Sequence, residues 1–220
     1  MKTELSHITT ILFDMDGVVA DSEPVWDEID TELLARYGYE YKHEYKKHIM
    51  GKSFVLSSGF YRDTFNIPTP LDELIIERRA IASRYYATRI APFESAHRVL
   101  DVLKSRGLRI GLATSATSEL ALPFLEKYDL KKHFDAITTG EEVHNGKPAP
   151  DIYLRAAGKL DALPQNCLVV EDAVAGVQAG KSAQMRVAAI PDLHYVDISD
   201  YIGFADFVLN NLEELPALFE

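Results

Sequence analysis

Along this chain the hydrophobic positions change rhythm twice. From Ile8 to Phe13 the run Ile8-Thr9-Thr10-Ile11-Leu12-Phe13 is apolar or β-branched and uncharged, which predicts a strand buried on both faces. From Pro24 to Ala91 the spacing becomes helical, with no convincing strand. Val25, Trp26, Ile29, Leu33 and Leu34 mark a helix from Pro24 to Gly38, with proline in the first turn, where its missing N–H costs nothing. The charged stretch Tyr41 to Ile49 predicts a short helix and Phe54 to Phe65 another. Leu71 to Ile90 predicts a long one with Leu74, Ile75, Ile81 and Tyr85 on one face.

After Pro92 strand and helix patterns alternate. Helices are predicted at Ala96–Ser105, Ser118–Tyr128, Pro150–Lys159, Ala173–Ser182 and Leu212–Phe219. Between them come strands at Leu108–Thr114, Phe134–Thr138, Cys167–Val170 and Val187–Ile190, with an edge strand at Asp206–Leu209. Strands separated by helices of this length imply right-handed crossovers and a parallel sheet covered on both faces. The first strand belongs to that sheet. The pattern therefore predicts an α/β core from residues 1–22 and 93–220, with an all-helical segment, residues 23–92, inserted after the first strand.

Composition narrows the function classes. At 220 residues, 47% hydrophobic and 26% charged, the chain has the make-up of an ordinary globular protein with a sizeable core. A formal net charge of −11 argues against nonspecific nucleic-acid binding, which needs a basic footprint. It also means that any phosphate site needs local cations. Cys167 is the one cysteine, so no disulfide forms within the chain, and its apolar neighbours point to a packing role. No apolar run reaches the length of a membrane span, and Glu4 and His7 interrupt any leader-like pattern, so a cytoplasmic protein is expected. A monomer or weak oligomer is expected.

The chemistry gathers at strand ends. The first strand closes on Asp14-Met15-Asp16-Gly17: two acids at i and i+2, then a glycine that permits a sharp turn. Two carboxylates so close repel each other unless a cation lies between them or the two do different jobs. Thr114-Ser115 and Glu171-Asp172 also end predicted strands, and Lys147 lies in the loop Asn145-Gly146-Lys147-Pro148-Ala149-Pro150-Asp151. In open α/β sheets ligands bind at that edge. The carboxylates with a backbone carbonyl suit a hard divalent cation such as Mg²⁺. A hydroxyl beside the N–H groups that start a helix suits a phosphate oxygen, and a lysine supplies a point charge between phosphate and carboxylate. Each residue has a plainer alternative: Thr114 as a helix cap, Lys147 as a solvated loop lysine, Glu171-Asp172 as an acidic helix start. Their joint occurrence at strand ends favours function.

The runs Phe13-Asp14-Met15-Asp16-Gly17-Val18, Gly146-Lys147-Pro148-Ala149-Pro150-Asp151 and Val170-Glu171-Asp172-Ala173 closely resemble the motifs of the haloacid dehalogenase superfamily. The resemblance covers essentially the whole chain and points to the branch with a helical cap, which includes β-phosphoglucomutase and the sugar-phosphate and hexitol-phosphate phosphatases. It implies a Rossmann-like core under that cap and a small phosphorylated metabolite as substrate. It implies Asp14 as the nucleophile that forms an aspartyl-phosphate, and Asp16 as the acid and then base. It also implies Mg²⁺ held by Asp14, the Asp16 carbonyl, Glu171 and Asp172, with Thr114, Ser115 and Lys147 on the phosphoryl group. In the cap, Lys52 is the candidate substrate contact. Arg78 and Arg79 are weaker ones, because helix-surface cations are usually solvated.

Three readings divide on particular residues. A receiver-like signalling domain shares the aspartate, threonine and lysine types, but it resembles a chain without a helical insertion and with its lysine at the final strand. The mutase pattern carries a histidine twelve residues after the nucleophile, where this chain has Trp26, and a cap-loop arginine where, aligned on Gly51, it has Phe54. Trp26 itself is expected to pack in the cap core. The histidines show no metal-ligand spacing, and His144 is at most a neighbour of the site. A phosphatase is the favoured expectation and a phosphomutase the alternative.

Overall fold

A computed structural model describes residues 5–220; Glu4 and the three residues before it lie outside the described residues. The chain begins with β1 (Thr10–Phe13) and a two-residue strand β2 (Ala20–Asp21). Helices α1 (Glu23–Arg36), α2 (Lys46–Ile49), α3 (Phe54–Phe65) and α4 (Leu71–Thr88) follow, and β3 (Ala91–Pro92) returns antiparallel to β2. Next come α5 (Ala96–Ser105), β4 (Arg109–Ala113), α6 (Ser118–Lys127), β5 (Ala136–Thr138), α7 (Asp151–Lys159), β6 (Cys167–Glu171), α8 (Val174–Ser182), β7 (Arg186–Ala189) and β8 (Phe207–Val208).

Six of these strands form one parallel sheet in the order β5-β4-β1-β6-β7-β8. The chain grows outward from β1 on one side through β4 and β5, then crosses to the other side at β6. The carboxyl ends of β1, β4 and β6 are thereby neighbours, at the switch point where open sheets bind ligands. Alternation along β1 splits its residues between two cores. Ile11 and Phe13 pack with Val99, Leu100 and Leu103 of α5, while Leu12 packs with Ile152 and Tyr153 of α7 and Val177 of α8. Every residue of β1 and of β6 is buried, as their unbroken apolar pattern predicted.

The inserted helices bury apolar residues against one another, in a cluster continuous with the core. Ile29, Leu33 and Leu34 of α1 are buried with Tyr61 of α3 and Leu74 and Ile81 of α4. In the same interior Arg78 donates from Nε to Asp30 Oδ1 at 2.7 Å and from a terminal nitrogen to Asp30 Oδ2 at 3.1 Å. Its other terminal nitrogen reaches Ser57 Oγ at 2.6 Å, and Tyr61 OH donates to Asp30 Oδ2 at 3.0 Å. The helix periodicity placed Arg78 among surface cations; it is buried and paired instead. A cation so enclosed is stable only because a carboxylate and a hydroxyl take its hydrogen bonds.

Two local readings differ from the pattern. The β2–β3 pair ties the two chain crossings between insertion and core, and strands of two residues leave no periodicity to find. Leu212–Phe219 forms a 3₁₀ helix rather than an α-helix, with Pro216 inside it, where an α-helical N–H would be needed. Among the described residues no helix is long and apolar enough to cross a membrane.

Helix α8 meets the sheet at Gly180, where an added Cβ would lie 2.8 Å from Val187 Cγ2 and 3.3 Å from Val169 Cβ. Gly180→Ala gains about 1 kcal/mol of helix propensity but overpacks against two stiff β-branched side chains, at about 1–3 kcal/mol. The net expectation is a lower urea midpoint at unchanged slope; a higher midpoint would show that the helix–sheet spacing gives way freely.

Candidate active site

The sheet edge assembles the site from segments far apart in sequence. Asp14 follows β1 directly, its N–H donating to Val170 O at 2.9 Å, so it is locked to the end of β6, which terminates in Glu171. Thr114 follows β4, its N–H bonded to Thr138 O at 3.0 Å. Lys147 arrives from the loop between β5 and α7. It is completely buried, with Nζ 2.9 Å from Asp14 Oδ1 and 2.6 Å from Glu171 Oε1. The plainer reading of Lys147 as a solvated loop residue therefore fails.

Glu171 is held on all sides. Oε1 accepts from Lys147 and from Tyr153 OH at 2.6 Å, and Oε2 accepts from the N–H groups of Asp172 and Ala173 at 3.0 and 3.1 Å. Its lone pairs are thus engaged within the protein. Asp172 contrasts with it: Oδ2 is buried without a hydrogen-bond partner among the described residues. Gly17, at φ +71°, makes room for that carboxylate, since a Cβ there would sit 1.9 Å from Asp172 Oδ2.

Asp14, Glu171 and Asp172 are all buried and can each bring one oxygen within 4.8 Å of the others. Three carboxylates around one ammonium leave two negative charges uncompensated in a desolvated place. Burial accordingly pushes Asp14 up to about 8, with Glu171 and Asp16 adding to the rise and Lys147 opposing it. Asp172 is also raised, first by burial and then by the charges of Glu23, Glu171 and Asp14. An orphaned carboxylate oxygen among buried acids, with oxygen donors only, fits a hard divalent cation. Lys147 is raised by the same two carboxylates, against its own desolvation, and stays charged.

Asp16 is half-buried and points elsewhere. Its Oδ1 accepts from Ser22 Oγ at 2.6 Å, from Trp26 Nε1 at 3.3 Å and from Tyr86 OH. Two of those donors come from the insertion, Trp26 from α1 and Tyr86 from α4. Anchoring one carboxylate oxygen from the cap leaves the other to exchange a proton. The sequence reading placed Trp26 in the cap core and did not single out Ser22, Tyr86 or Tyr153. Tyr86 and Asp16 are seventy positions apart, and no local spacing links them.

Thr114 and Ser115 fall at the expected place with their hydroxyls in use. Thr114 Oγ1 accepts from Ala116 N at 3.0 Å, and Ser115 Oγ donates to Gly51 O of the insertion at 3.0 Å. Gly51 also presses on the core, because a Cβ there would approach Ala173 Cβ to 2.5 Å. A cavity between insertion and core is lined by Asp14, Asp16, Trp26, Phe54, Ser115 and Lys52, among others. Lys52 is half-buried and forms no ion pair among the described residues. His144 is exposed and Arg79 stands over the Phe54 ring, neither of them lining this cavity. Cys167 is buried, which pushes its thiol up to about 11 and away from reactivity.

The family model for haloacid dehalogenase-like hydrolases matches residues 11–190. The phosphorylated carbohydrates phosphatase of Thermotoga maritima is 32% identical over 173 residues, which cover 79% of this chain and 80% of that protein. Hexitol phosphatase B of Escherichia coli (strain K12) is 30% identical over 221 residues, 96% of each chain. Among solved structures, CbbY from Rhodobacter sphaeroides in complex with phosphate superposes with a TM-score of 0.82 at 25% identity, covering 94% of this chain and 96% of that one.

The raised carboxylates set a pH dependence. Asp14 binds its proton more tightly folded (about 8) than at its ordinary value of 3.8, so without a cation it costs the fold stability increasingly as pH rises through that window. Asp172 shifts in the same direction. A divalent cation competes with those protons, so the rise in melting temperature on adding magnesium to chelator-treated protein should be larger at pH 7.5 than at pH 5.5. An equal rise at both, or none, would contradict the cation fit.

Proposed function

The chain belongs to the haloacid dehalogenase-like hydrolases, as a phosphoric monoester hydrolase, and from that premise we propose a Mg²⁺-dependent phosphatase of small sugar or polyol phosphates that works through a phosphorylated Asp14. The observation that carries this reading is the buried set Asp14, Lys147, Glu171 and Asp172, with the unpartnered Asp172 Oδ2, opening beside Asp16 onto a cavity. Names of the relatives supply the substrate class: phosphorylated carbohydrates in one, hexitol phosphates in the other.

Asp14 and Asp172, backed by Glu171 and joined by the Asp16 carbonyl, would hold Mg²⁺, which screens phosphate charge from the attacking carboxylate when bound. Lys147 adds a fixed positive charge beside Asp14, which favours the ionised carboxylate against the burial that opposes it and holds it in place. An Asp14 oxygen attacks phosphorus, the bond from phosphorus to the ester oxygen breaks, and Asp16 gives its proton to the departing alcohol. In the second half Asp16 takes a proton from water, whose oxygen attacks the phosphoryl group and frees Asp14. Thr114 and Ser115 lie where the phosphoryl oxygens would be held, Ser115 after releasing Gly51.

Residues 23–92 act in this reading as a cap over the sheet edge, hinged at the β2–β3 pair. The hydrogen bonds of Trp26 and Tyr86 to Asp16 support a coupling between cap position and proton transfer. Closure would exclude water from the reacting groups. A phosphatase accounts better than a phosphomutase for Trp26 and Phe54, since neither ring can hold a second phosphoryl group.

Phosphate release from a panel of phosphorylated sugars and polyols with Mg²⁺ tests the activity. Asp14→Asn should abolish both turnover and labelling of the protein by substrate phosphate. Asp16→Asn should cut turnover by about 10²–10⁴-fold, the usual worth of general acid–base help, while magnesium still raises the melting temperature. Unchanged turnover in either variant would remove the role given to that residue.

A further inference from the structure

Resting on that phosphatase reading, we propose that the cap wall of the cavity, built on the ion pairs Glu23–Lys46 and Asp30–Arg78, selects monophosphates whose leaving alcohol is uncharged and hydroxyl-rich, and rejects those carrying a second anionic group. Both pairs are buried, and all four residues line the cavity.

The interior cations there have no spare charge to offer. Lys46 Nζ lies 2.8 Å from Glu23 Oε2, 2.9 Å from Glu23 O and 2.9 Å from Asp27 Oδ1. An ammonium has three N–H groups, and each has its oxygen. Arg78 is paired with both oxygens of Asp30 and donates also to Ser57. Glu23, Asp27 and Asp30 against Lys46 and Arg78 make three negative charges to two positive, a balance of −1. On the reacting side Asp14 is already paired with Lys147, and Asp16 adds a further carboxylate. A carboxylate or second phosphate on the leaving group would enter this wall without a counter-ion and lose its water.

Hydroxyl groups suit the same wall well. Three of the five N–H groups of Arg78 are used, so it retains donors for a hydroxyl oxygen. Glu23 and Asp30 present acceptors for hydroxyl protons, and the rings of Trp26 and Phe54 give apolar surface for C–H faces. Lys52 is the cavity-lining cation without an acid partner among the described residues. It is half-buried and also lines the neighbouring surface groove beside Lys47 and Gln178, so it stands at the mouth rather than in the interior.

The test compares kcat/KM for two substrates of equal length, a hexitol 6-phosphate and 6-phosphogluconate, which differ by a terminal carboxylate in place of an alcohol. Like-charge juxtaposition in a desolvated site costs enough for a preference of about tenfold or more for the hexitol phosphate. p-Nitrophenyl phosphate is measured alongside. Turnover of the nitrophenyl ester with equal or better use of the sugar-acid phosphate would overturn the selectivity while leaving the phosphatase standing. No release from any of the three would overturn the phosphatase reading itself. A second arm uses Asp30→Asn, which keeps the side chain's size but removes its charge and one of the two oxygens that accept from Arg78, and so unbalances that cation. The hexitol-to-acid ratio should fall by about tenfold, and an unmoved ratio in a folded variant would take the selectivity away from this pair. If that variant does not fold, the wild-type ratio decides.

Discussion

A single buried ammonium holds this structure's working edge together. Lys147, wholly enclosed, sits between Asp14 at the end of β1 and Glu171 at the end of β6. Without it two carboxylates on adjacent parallel strands would face each other in a medium of low dielectric. With it they still outnumber the positive charge once Asp172 is counted. The arrangement is electrostatically incomplete as it stands, and a divalent cation of hard character is what its donor set fits. The cation fit and the proposed pH response of the fold both descend from that imbalance.

The surrounding chain treats the imbalance as something to hold rigid. Glu171 receives four hydrogen bonds, two from backbone N–H groups just after its own strand and one from Tyr153 on α7. Fixing that carboxylate fixes the lysine, and the lysine fixes Asp14. Gly17 then lets the chain turn close to Asp172 with no side chain in between. Little of this framework is free to relax, which suits a site that stabilises charge by prearranged groups rather than by rearrangement.

The helical insertion uses charge differently. Its two interior cations are each neutralised in place, and its hydrogen-bond donors Trp26 and Tyr86 reach across to Asp16. Core and cap thus divide the electrostatics. One side concentrates unbalanced carboxylates around a single ammonium, and the other pairs each buried cation with acids. The contacts of Gly51 with Ser115 and Ala173 bring the two sides together over the same cavity.

Much of this was legible in the sequence. Buried parallel strands announce themselves as unbroken apolar runs, so β1 and β6 and the acids that end them were placed from pattern alone. The helices α3 and α5 run over the residues that periodicity predicted. Membership of the family was readable because its motifs are short and contiguous. Pairings across long separations were not readable. Arg78 reads as a surface cation because a helix pattern cannot register one carboxylate on another helix, and only packing delivers Asp30 to it. Tyr86 meets Asp16 because α4 brings the chain back to the loop after β1, and Lys147 becomes buried because β1 pairs with β6, whose ends carry its two acid partners. The sequence by itself determined the fold class and the chemical types at each strand end, since those depend on local spacing. The tertiary structure decided which charges are neutralised and which are left open, because that depends on what lies opposite.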